Sequence, residues 1–184
     1  CFQKDLLNLV YLCEHYGLHE VAEYWNQVVA INEYQKQRFV RRMISAMFNT
    51  VADKRIAIFG FAFKAETGDT RETPALTVCN LLAEERARLV ICDPQALTNA
   101  RVDLAALGDR VSFELDPYAA AAGAHAIVVL PEWKLFRQLD FQRLFDAMAK
   151  PAFLFDGRNI LDHQALHRIG FHVYPIGSRD LTHF

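Results

Sequence analysis

The chain has 184 residues, 52% hydrophobic and 23% charged, with a formal net charge of -2 and a pI near 6.4. That is enough chain for one good domain plus an appendage, and the composition is that of a globular protein, not of a disordered one. The slightly acidic balance argues against a basic nucleic-acid surface. No apolar run approaches the roughly 20 residues that span a bilayer, and no secretory segment is recognisable. Four cysteines (Cys1, Cys13, Cys79, Cys92) are scattered without paired spacing. This points away from a zinc site or a disulfide framework and towards a reducing, cytoplasmic setting.

In chain order, Leu6, Leu7, Leu9, Val10 and Leu12 predict a helix over residues 4–16, with Gly17 as its C-terminal stop. A second helical pattern runs from about His19 to Phe48 without Pro or Gly, on Val21, Trp25, Val28, Phe39, Met43 and Met47. It would be about 45 Å long, a length that suits a helix joining domains or packing on another subunit. The texture then changes. Ile56–Gly60 reads as a buried strand, 71–85 as a helix, 88–93 as a strand and 110–114 as a short third one. Residues 117–124 read as a helix, 126–130 as a strand stopped by Pro131, and 139–149 as a helix. A strand over 152–155, a helix capped by Asp162 and a closing strand over 171–174 complete the chain. Wholly apolar strands alternating with helices imply an α/β fold: a doubly wound, Rossmann-like parallel sheet behind an N-terminal helical segment. Ligands should then sit beyond the C-terminal strand ends, on the loops after Gly60, Asp93, Leu130 and Phe155.

The first of these loops, G-F-A-F-K-A-E-T-G-D-T-R-E-T-P, lacks the G-x-G-x-x-G fingerprint. Its Lys64 and Arg71, beside a helix start near residues 71–72, could serve an anionic phosphate, or could be two ordinary cations on a solvated loop. Arg158, in D-G-R at 156–158, is placed to grip a phosphate bidentately or to cap the sheet edge. Trp133 reads as a packed aromatic. His15/His19 and His163/His167 have i,i+4 spacing without a third ligand nearby, and read as solvated helix-face histidines, not as a metal site. Cys1, close to Lys4, has the electropositive surroundings that activate a thiol, although a lone cysteine is more often without a chemical role.

Taken together, C-F-Q-K-D-L-L-N-L-V-Y-L-C at 1–13, F-N-T-V-A-D-K-R-I-A-I-F-G-F-A-F-K at 48–64, T-G-D-T-R-E-T-P at 67–74 and F-D-G-R-N at 155–159 resemble the UDP-glucose/GDP-mannose dehydrogenase family. The G-F-A-F-K and T-G-D-T-R wording is closer to the branch acting on UDP-glucose than to relatives acting on GDP-mannose or UDP-N-acetyl sugars. The resemblance covers only the C-terminal part of such an enzyme, beginning at the cysteine. It implies two NAD-dependent oxidations of a primary alcohol to an acid, through a cysteine thiohemiacetal and thioester.

Residue by residue, the resemblance makes Cys1 the nucleophile and Asp5 a carboxylate that organises the catalytic water and a lysine. It assigns Lys4 and Arg71 to NAD, Phe63 and Lys64 to the UDP-sugar, and Arg158 to the substrate. It divides the chain into central, dimer-forming helices at 1–50 and a UDP-sugar-binding domain at 51–184. The NAD-binding domain, the family's catalytic lysine, its glutamate near the catalytic water and the glycine-rich loop before the nucleophile have no counterpart here. The expectation is therefore a chain inactive by itself. The competing reading is a nucleotide-sugar-binding or dimerisation module without chemistry, or a dehydrogenase for another UDP- or GDP-sugar.

Overall fold

A computed structural model describes residues Phe2–Phe184, which form two compact units divided between Arg38 and Phe39. In the first, α1 (Phe2–His15) turns into α2 (His19–Ala46). Gly17 makes the turn at φ 72°, and the Leu18 N–H reaches back to the Cys13 carbonyl at 2.8 Å, the bond pattern of a glycine C-cap. Leu6, Cys13 and Ala22 are buried, while Phe2, Tyr11, Tyr16, Tyr24 and Ile31 stay exposed.

The last turns of α2 belong to the second unit, because Phe39, Val40 and Met43 face its core. The helix ends at Ala46, and Phe48 and Asn49 then take left-handed backbone. The sheet follows, with β1 (Arg55–Phe59), β2 (Arg88–Cys92), β3 (Val111–Phe113), β4 (Ala126–Val129), β5 (Phe153–Asp156) and β6 (His172–Pro175). All its pairings are parallel, and the strand order is β3-β2-β1-β4-β5-β6. The chain thus winds outward from β1 to one edge, returns, and winds to the other, as expected for a doubly wound sheet. The order reverses between β1 and β4, the position beyond which such sheets take their ligands.

Burial explains the uninterrupted apolar strands. Ile56 and Ile58 face one core, with Met43, Met47 and α3 (Pro74–Glu84). Ala57 and Phe59 face the other, with α5 (Pro117–Ala121), α7 (Phe141–Ala147) and α8 (His163–Ile169). Each side buries well over a dozen apolar side chains, at about 25 cal/mol per Å² removed from water.

Three short elements carried no legible period: α4 (Leu97–Asp103), a 3-10 turn over Ala105–Arg110, and α6 (Lys134–Arg137). The helix expected over 71–85 begins only at Pro74. Proline biases the residue before it to extended backbone, and Thr73 sits at φ -65°, ψ 132° as the N-cap. The positive helix end expected near residues 71–72 therefore lies further on, and the Thr73 hydroxyl already accepts its Ala75 N–H at 3.2 Å. Among the described residues no helix is long and apolar enough to cross a membrane.

Candidate functional site at the strand ends

The loops after β1, β2, β4 and β5 are joined by hydrogen bonds at the C-terminal end of the sheet. Gly60 ends β1 at φ 91°, and a Cβ there would lie 2.0 Å from the Pro131 Cγ. Only glycine lets the loops after β1 and β4 pass this closely. Beyond it Phe61 and Ala62 are buried, whereas Phe63 and Lys64 turn outward. The Phe63 N–H donates to the Asp69 carbonyl at 2.8 Å and closes the loop on itself.

Asp93, fully buried at the end of β2, organises this region. Its Oδ2 accepts the Phe61 N–H (2.8 Å), the Ala62 N–H (3.1 Å) and the Trp133 indole N–H (3.3 Å). Its Oδ1 accepts from Gln95 (2.8 Å) and Ala96 (2.7 Å). One carboxylate thus joins the loops after β1, β2 and β4, and five donors replace its water. Trp133 is the packed aromatic expected, with its polar end on Asp93.

Asp156 does the same at the end of β5. It is fully buried, and takes the Arg158 N–H on Oδ1 (3.0 Å). Its Oδ2 takes Ile160 (2.9 Å), Leu161 (3.0 Å) and the His163 Nε2 (2.9 Å). The tight D-G-R turn needs Gly157, where a Cβ would stand 2.9 Å from the Val129 carbonyl oxygen. The Arg158 Nε donates to the Leu130 carbonyl at 2.7 Å, laying the side chain over the end of β4, the strand beside β1.

The residues singled out from sequence separate as follows. Phe63, Lys64 and Arg158 stand at strand ends of one sheet. Arg71, ahead of α3, is held by Asp69: its Nε meets Oδ1 at 3.0 Å and its Nη2 meets Oδ2 at 2.7 Å. These bonds hold the Asp69 carboxyl at about 2, below the usual carboxylate range. Arg71 is thus ion-paired, not an unpaired cation of the loop. Lys4 and Asp5 are exposed on α1, and Cys1 lies outside the described residues.

The solvated reading of His163/His167 is corrected. His163 is tied to Asp156, and His167 stacks on His183 with ring centres 3.9 Å apart. His15 and His19 are exposed, with His19 on Glu14 at 2.7 Å. Among the described residues no group of three acidic, histidine or cysteine side chains could hold a metal. The thiols of Cys79 and Cys92 are buried, and desolvation pushes both up, Cys92 to about 12. Sequence reading missed Asp93 and Asp156 as organisers. Their signal was a single carboxylate closing an apolar strand, in V-I-C-D and F-L-F-D.

Comparison with known proteins adds to this geometry. The profile of the UDP-glucose/GDP-mannose dehydrogenase family, UDP binding domain, matches residues 57–163. The chain is 54% identical over 197 residues to UDP-glucose 6-dehydrogenase 2 of Oryza sativa subsp. japonica, covering 97% of this chain and 41% of that protein. It is 52% identical over 189 residues to UDP-glucose 6-dehydrogenase of Drosophila melanogaster, covering 97% and 40%. It therefore spans about two fifths of the length of the curated relatives it matches. Among solved structures, a UDP-glucose dehydrogenase from Pyrobaculum islandicum superposes with a TM-score of 0.75 at 27% identity, over 95% of this chain and 36% of that one. A GDP-mannose dehydrogenase at 20% identity, with a TM-score of 0.64, shares the fold over 88% of this chain and 35% of that one.

Proposed function

Since the chain belongs to the UDP-glucose/GDP-mannose dehydrogenase family, we propose that it is the UDP-sugar half of an NAD-dependent UDP-glucose 6-dehydrogenase. The observation that carries this reading is the placement of exposed Phe63 and Lys64 in the loop after β1 and of Arg158 in the loop after β5, its side chain crossing the end of β4. A cationic head on either side of a strand-order reversal suits a diphosphate, and an exposed aromatic beside it suits the remainder of a nucleotide sugar. The relatives above 50% identity are named for UDP-glucose, which favours that sugar over GDP-mannose.

The residues of the sheet domain do not form a dinucleotide cradle. Where a pyrophosphate would need free backbone N–H groups after β1, those of Phe61 and Ala62 are taken by Asp93, and that of Ala75 by Thr73. Lys4 and Arg71 are proposed only as side-chain contacts to NAD held elsewhere, and NAD would accept the electrons of the reaction. Within the chain, Cys1 is proposed to add as thiolate to a substrate aldehyde and to carry the acyl group as a thioester until water hydrolyses it. Asp5 is proposed to orient that water. We propose further that the chain alone is inactive, works in the cytoplasm, and pairs with a second copy along α2, where exposed Tyr24 and Ile31 fit a covered face.

Calorimetric titration with UDP and UDP-glucose tests the reading. Binding that weakens at least tenfold in Lys64→Ala and in Arg158→Ala supports it. A folded chain that binds neither ligand refutes the assignments. Formation of NADH from UDP-glucose by this chain alone would refute its proposed inactivity.

A further inference from the structure

We propose that Asp93 is a positioning residue for the UDP-sugar half-site, acting through the backbone of Phe61 and Ala62 on Phe63 and Lys64. The inference rests on the reading of Phe63 and Lys64 as substrate-holding residues.

A carboxylate that merely capped its own turn would need only the Gln95 and Ala96 N–H groups, which occupy Oδ1. Oδ2 is instead turned across the sheet end to two consecutive amides of another loop and to the Trp133 indole. The Phe61 carbonyl is held in turn by the Thr73 hydroxyl at 2.9 Å, and the Phe63 N–H by the Asp69 carbonyl. Three successive backbone N–H groups, from Phe61 to Phe63, are therefore fixed immediately before and at the point where the chain turns outward. Bonds to an ionised acceptor are about twice as strong as neutral ones, so the carboxylate dominates this set. A loop held in its binding conformation has less ordering left to do when a ligand arrives. The Arg158 backbone N–H is held by the other hub, Asp156, and no Asp93 bond reaches Arg158 itself, so an R158A background is the comparison.

The experiment is a pair of double-mutant cycles on the 184-residue chain, read by calorimetry with UDP-glucose. D93N keeps the shape but faces one set of N–H donors with an amide NH2, and is expected to weaken binding about tenfold. In a K64A background the same change is expected to cost less than about threefold, because the side chain being positioned is already gone. In an R158A background the full tenfold is expected. Equal losses on both backgrounds, or no loss in the wild-type background, would overturn the positioning role and leave Asp93 a stabiliser of the fold. If D93N does not fold, W133F removes one Oδ2 donor while keeping an aromatic ring, and enters the same cycles with about threefold expected in the wild-type and R158A backgrounds and no loss in K64A. Failure of the unmodified chain to bind UDP-glucose is a different result: it refutes the half-site reading, and the positioning role falls with it.

Discussion

The His172 Nδ1 accepts the His183 N–H at 3.3 Å, and the Phe184 ring stacks on the same imidazole at 4.0 Å. An imidazole nitrogen that accepts must carry no proton, so this contact exists only while His172 is neutral. Burial, with His183 and His167 close by, holds His172 below its ordinary value. The unfolded chain then binds more protons than the folded one as pH falls through about 6.5, so stability is full above that point and declines below it. Thermal melts between pH 7.5 and 5 should show Tm falling with acidification, and His172→Phe should flatten the decline.

Asp156 should tolerate little change. Replacing it by Ala leaves the N–H groups of Ile160 and Leu161 and the His163 ring without their acceptor, and Leu161 is buried. A loss of about 3 kcal/mol in urea unfolding is expected for D156A.

Gly60 and Gly123 both have positive φ, at 91° and 67°, but only Gly60 is enclosed. Gly123→Ala should cost about 1 kcal/mol, the backbone penalty alone, because a Cβ there meets nothing within 4 Å. Gly60→Ala adds a clash with Pro131 and should cost more than about 3 kcal/mol or prevent folding. Comparison of the two denaturation midpoints checks this.

Asp69 should titrate near 2 in carbon-detected NMR, because Arg71 holds its carboxylate. Arg71→Ala should return the midpoint towards the usual carboxylate range. Both groups face solvent, so the two chains should melt alike.

Thiol labelling at neutral pH should spare Cys79 and Cys92 in the native chain, since burial keeps both protonated and the thiolate is the attacking form. The proposed nucleophile, Cys1, should label first. Peptide mapping before and after urea checks the order, and labelling of Cys79 in the folded chain would contradict its burial.

The α/β alternation and the parallel sheet were legible because buried parallel strands must be apolar on both faces, a pattern that 56–60, 126–130 and 152–155 show directly. The short α4 and α6 were not, because helices of seven and four residues complete too few turns to carry a period. Lys64 and Arg158, the proposed phosphate contacts, are legible from their places after strand ends, and Phe63 from the family resemblance. The pairing of Arg71 with Asp69 is not: both charges are visible in T-G-D-T-R, but whether two residues so close in a loop meet depends on how the loop folds back at Phe63.

The sequence by itself determined the fold class, the family and which loops follow the strand ends, because periodicity, glycine placement and loop wording are local properties of the chain. The tertiary structure alone decided what holds those loops. Asp93 lies 32 residues from Phe61 and 40 from Trp133, and nothing local in V-I-C-D says which distant N–H groups will fill its two oxygens. A buried carboxylate must find donors, but their identity is set by which strand ends the sheet order brings together.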